Sequence, residues 1–174
     1  MKKIYIILMH TNTIPARIIR LATRYKYSHV AISFERNCNM TYSFGRKNIN
    51  SVLDAGFVKE YKNGKFFRKF NKTECKIYEI NVTDEQYYNA WHIIKNMEKH
   101  KEVYKYDIRG IILRFFGIRL AFKNRYVCSY FVASILQRAK IYKFKKKICC
   151  IEPKDFEKVN KLHEIYSGPY KMYA

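Results

Sequence analysis

Apolar residues run unbroken through Ile4-Tyr5-Ile6-Ile7-Leu8-Met9, a β-rich stretch that predicts a buried first strand. Thr11, Asn12 and Thr13 then offer helix caps, and Pro15 falls near a first turn, where its missing N–H costs nothing. Ile14, Ile18, Leu21 and Ala22 recur at helical spacing with Arg17, Arg20 and Arg24 on the other side, which predicts a short amphipathic helix over 14–24. Residues 28–34 and 40–44 form a predicted hairpin about a polar turn at 35–39. A further pair of strands is expected over 57–70 around Lys62-Asn63-Gly64, and residues 76–82 alternate as a last strand.

The pattern then turns helical. Thr83 and Gln86 have the spacing of a capping box, opening a helix that runs to about His100. A second apolar helix is expected over 108–116. A third covers 126–139, with Val132, Ile135, Leu136 and Ala139 as its buried stripe. Glu152-Pro153 opens a last short helix ending near Leu162, and the tail around Gly168-Pro169 reads as irregular. With no internal repeat, no low-complexity linker and no break in the pattern, residues 1–174 read as one α+β domain.

Composition changes this picture in two ways. The net charge of +21, from 35 basic against 14 acidic residues, points to an anionic partner. The lysines are scattered along the whole chain, however, and Lys, Ile, Asn and Tyr are enriched together, as an AT-rich coding bias would produce. The five cysteines, Cys38, Cys75, Cys128, Cys149 and Cys150, are odd in number, irregularly spaced and without a C-x-x-C pair. That excludes a disulfide framework, gives no sign of a metal or an organic cofactor, and fits a reducing cytoplasm. The N-terminus resembles a signal peptide at first sight, but its apolar run of six residues is too short and no small-x-small site follows. The longest apolar candidate for a membrane span, 108–122, is interrupted by Arg109, Arg114 and Arg119.

Two short segments carry candidate chemistry. Arg125-Tyr126-Val127-Cys128-Ser129-Tyr130-Phe131 places Cys128 at the mouth of an amphipathic helix. There the helix dipole and outward-pointing amides favour thiolate over thiol, and the Cys128 amide could hold an oxyanion. A cysteine in an apolar helix is otherwise a small buried hydrophobe. In Ser28-His29-Val30-Ala31-Ile32-Ser33, His29, Ala31 and Ser33 share one strand face while Val30 and Ile32 share the core face. A lone strand histidine is more often structural than catalytic. His10, His92, His100 and His163 read as structural or surface residues.

Taken together, the Ser-His-Val-Ala-Ile strand, the hairpin behind it and the later Cys-Ser-x-Phe helix resemble the papain-like NlpC-type hydrolases. The order, His29 about a hundred residues before Cys128, resembles the circularly permuted branch that includes the YiiX-like and lecithin:retinol acyltransferase-like proteins. The resemblance spans roughly residues 3–140. It implies a permuted papain-like fold, with an antiparallel sheet packed on helices. It implies acyl transfer, with Cys128 as nucleophile and His29 as base. It also implies a third residue on the following strand that orients the imidazole. The family hairpin laid over Met40-Thr41-Tyr42-Ser43 puts Tyr42 there, where relatives more often carry His, Glu, Asn or Gln, with Ser43 or a backbone carbonyl as the alternative.

The expected substrate is a small-molecule, peptide or lipid-like acyl compound. The basic 14–24 helix and the apolar 108–122 stretch could also meet an anionic membrane surface. Two other readings stay open: a basic module of the same fold that binds an anionic partner, and a degenerate form that binds acyl or peptide ligands without turnover. No helix-turn-helix, RNP-type or zinc-finger signature supports nucleic acid as that partner.

Overall fold

A computed structural model describes residues 1–11, 24–48, 54–115, 118 and 120–174. The predicted helix over 14–24 lies outside the described residues, apart from Arg24. Eight strands, β1 (Lys2–His10), β2 (His29–Ser33), β3 (Met40–Arg46), β4 (Ala55–Tyr61), β5 (Glu74–Val82), β6 (Lys105–Tyr106), β7 (Arg125–Tyr126) and β8 (His163–Pro169), form one sheet. Its order is β7-β6-β4-β3-β2-β1-β5-β8, antiparallel throughout except for the β6–β7 pair. Among the described residues, five α-helices accompany it: α1 (Lys65–Lys69), α2 (Asp84–Lys99), α3 (Ile108–Phe115), α4 (Cys128–Arg138) and α5 (Pro153–Phe156). This is the expected α+β class.

β1 lies between β2 and β5 and is buried on both faces, which accounts for its unbroken apolar sequence. Ile4, Ile6 and Leu8 join Val30, Ile32, Tyr42, Phe44 and Phe57 in the larger core, with Ile94 of α2 and Phe131, Val132 and Ile135 of α4. Tyr5, Ile7 and Met9 face the other way, into a smaller core with Ala31, Cys38, Phe67, Cys75 and Tyr170. Phe131, Val132, Ile135 and Leu136 are fully buried. At roughly 1.5–3 kcal/mol per side chain, this burial fixes α4 against the sheet.

Thr83 caps α2 as its spacing predicts, accepting from the Gln86 amide at 3.2 Å while Gln86 returns a bond to the Thr83 N–H at 3.1 Å. Asp107 caps α3 through the Gly110 amide, 3.0 Å away.

Three expectations change. Only the first half of 57–70 is a strand, β4; after the turn at Lys62-Asn63-Gly64 the chain forms α1, because Phe67 drops into the smaller core against Tyr170, ring centroids 4.9 Å apart. α5 ends at Phe156 rather than near Leu162. The tail is an edge strand, β8, paired along β5. Beyond it, Tyr170 is buried, donates its hydroxyl to the Cys38 carbonyl at 2.6 Å and closes the smaller core.

Candidate functional site

Cys128 is the first residue of α4. Tyr126 belongs to β7 and Val127 is the N-cap, extended at φ −102° and ψ 164°, with no side-chain cap on the helix. The helix thus starts two residues later than its apolar pattern implies. Amides of a first turn point out of the helix at its positive end, a setting that favours a thiolate or an oxyanion beside Cys128. Ser129 donates its hydroxyl to the Ile151 carbonyl at 2.5 Å, tying this turn to the 3-10 turn Ile148–Cys150. Cys128 is buried, yet belongs to neither core cluster. The flanking Tyr126 and Phe131 lie 5.1 and 5.2 Å from the Phe44 ring.

His29 opens β2, opposite Met9 of β1. Ile32 pairs with Tyr42 across β2–β3, and continuing that register sets Val30 across from Phe44, Ala31 from Ser43 and His29 from Gly45. The His29 Cε1 accordingly lies 3.5 Å from where a Cβ of residue 45 would stand. The two candidates occupy the same end of the sheet, with Phe44 packed against Tyr126 and Phe131 on either side of Cys128 and set across from Val30, the neighbour of His29. They do not share a face. Val30 and Ile32 point into the α4 core, so alternation turns His29, like Ala31, toward the other side. His29 stands at the rim of one face, and Cys128 at the tip of the helix covering the opposite one.

Burial lowers the His29 pKa to about 4, so the ring is neutral at pH 7. A neutral imidazole can enter as a general base, not as the imidazolium half of a preformed ion pair.

Tyr42 is not an orienting residue for His29. Direct pairing with Ile32 puts it on the α4 side, fully buried, with its ring among Phe34, Phe57 and Trp91 and its hydroxyl on the Met40 Sδ at 3.7 Å. The physical reason is register: the hairpin pairs even positions with even, and a one-residue difference moves a side chain through the sheet. Ser43 is on the His29 face, but its hydroxyl is committed to the Val30 carbonyl at 2.6 Å. Gly45, which pattern reading passes over, faces the His29 ring at a distance that a Cβ would fill with ordinary van der Waals contact.

The remaining thiols and acids divide clearly. Burial raises Cys38 and Cys75 to about 12, which makes both inert at neutral pH. Glu60 of β4, partly buried, is raised to about 7 by burial, offset in part by Arg46. Among the described residues no three His, Cys, Asp or Glu side chains gather as a metal site requires. Nor is any described helix long and apolar enough to cross a membrane.

Comparison of the chain with protein-family models, curated proteins and solved structures finds no match in any of the three.

Proposed function

We propose that the protein is a cysteine hydrolase of the permuted papain-like, NlpC-type class, acting by acyl transfer in a reducing cytoplasm. The observation that carries this reading is the seat of Cys128 as first residue of α4, at the sheet end where β2 begins with His29. In the reaction, His29 takes the thiol proton as Cys128 attacks an amide, ester or thioester carbonyl. The oxyanion rests on the amides of the helix tip, and as it collapses the amine, alcohol or thiol leaves with the proton held by His29. Water, losing a proton to His29, then releases the acyl group as the acid while the Cys128 thiol takes that proton back. Because His29 points away from the α4 core, its ring must reach the thiol around the open end of β2. Ser43, on the same face as His29, spends its O–H on the Val30 carbonyl but keeps its oxygen as an acceptor for an imidazole N–H, which makes it the remaining side-chain candidate for a third member.

The test is the rate of alkylation of each thiol by iodoacetamide in the folded protein. Cys128 should react faster than the other four, and His29→Ala should slow that reaction at least about tenfold, as loss of a general base does. Equal labelling of all five cysteines, unaffected by His29→Ala, would sink the hydrolase reading. The rival is a basic binding module of the same fold, favoured by the net charge of +21. It would instead show Cys128 unreactive and binding to anionic vesicles that weakens steeply with salt.

A further inference from the structure

Adjacent cysteines ordinarily point their side chains apart, but Cys149 and Cys150 do not. They sit in the 3-10 turn Ile148–Cys150, closed by the Cys150 amide donating to the Lys147 carbonyl at 2.8 Å, and their sulfurs are 3.7 Å apart. No disulfide joins any of the five cysteines. Cys149 is buried and Cys150 partly exposed, so a reagent in solution meets Cys150 first.

We propose that Cys149-Cys150 is a thiol–disulfide exchange site for small disulfides of the glutathione class. The Cys150 sulfur, having lost its proton, attacks one sulfur of the disulfide, whose S–S bond breaks. One glutathione leaves as the thiol, taking up a proton. Cys149, already at van der Waals distance, then attacks the Cys150 sulfur and expels the second glutathione, which takes up the proton Cys149 loses. The two protein thiols are oxidised by two electrons and the glutathione disulfide is reduced to two thiols.

The product is easily reversed. Neighbouring Cα atoms are about 3.8 Å apart, below the roughly 4.4–6.8 Å usual for a disulfide, so the bond closes a tight ring and is readily reduced. Its consequence reaches α4. Ile151 follows the pair directly, and its carbonyl receives the Ser129 hydroxyl that ties this turn to the first turn of the helix. The exchange chemistry itself does not depend on the hydrolase reading.

The experiment incubates folded protein with glutathione disulfide and reads intact mass and the 149–150 peptide. The wild type should lose two hydrogens at that peptide, keep no glutathione and recover its mass with dithiothreitol. Cys149→Ser should retain one glutathione on Cys150, and Cys150→Ser should remain unmodified at Cys149. A stable glutathione adduct on the wild type, a bridge from either residue to Cys128, or no change in mass would overturn the proposal.

Discussion

Ile32 stands directly opposite Tyr42 in the β2–β3 pairing, and this single contact decides which side chains share a face with His29. It sends Tyr42 and Phe44 into the α4 core and leaves Ser43 and Gly45 on the histidine side.

It follows that the Tyr42 hydroxyl is dispensable. Tyr42→Phe removes only a long O–H···S contact, so stability should change by less than about 1 kcal/mol, and the alkylation rate of Cys128 should stay unchanged. Tyr42→Ala, by contrast, should cost about 3–5 kcal/mol, as a large aromatic deletion does. Urea unfolding with iodoacetamide kinetics checks both.

The lowered pKa of His29 makes a signed prediction. The unfolded chain takes up a proton near pH 6.5, whereas the folded ring resists until about 4. Its contribution to stability is therefore present above pH 6.5 and lost as pH falls toward 4, by at most about 3 kcal/mol for a ring that is not wholly buried. His29→Gln removes this dependence. Relative to wild type, the variant should gain stability between pH 7 and pH 4.5 in urea titrations.

Glu60 slopes the other way. With its pKa raised to about 7, the protonated form is favoured in the fold, so its contribution is full below about pH 4.5 and lost as pH rises through 7. Glu60→Gln should therefore stabilise the protein at pH 8 relative to pH 5, by at most about 3 kcal/mol. Between pH 4.5 and 6.5 the two residues oppose each other, and the wild type should show a flatter profile than either variant.

At the start of α3, a Cβ on Gly110 would lie 1.9 Å from Oδ2 of Asp107, the residue whose Oδ1 accepts from the Gly110 amide and caps the helix. Gly110→Ala should displace the cap at a cost of about 1–2 kcal/mol. Amide exchange in α3 should quicken while that in α2, capped independently by Thr83, stays the same.

The contrast among these elements shows what local chemistry can encode. Thr83 and Gln86 sit three residues apart, and their reciprocal bonds are legible in the sequence. So are the burial of β1 and the apolar stripe of α4. α1 and β8 were not. Lys65-Phe66-Phe67-Arg68-Lys69 is as compatible with a strand as with a helix, and its choice is made by Phe67 meeting Tyr170, about a hundred residues away. β8 presents mostly exposed polar residues and is defined by its partner β5. At the candidate site, the positions of Cys128 and His29 on their elements were legible. Which face each side chain takes was not, because that depends on the hairpin register, which a count of residues between strands leaves undetermined.

Tyr170 donates to the Cys38 carbonyl and packs on Phe67, so a residue translated long after Ile77 completes a core whose other buried members lie between Tyr5 and Ile77. During synthesis, then, the sheet carries one face finished by local helices and another still waiting for its final side chain. A nascent chain halted before residue 170 would expose Tyr5, Ile7 and Cys75 to whatever chaperone or aggregate is at hand.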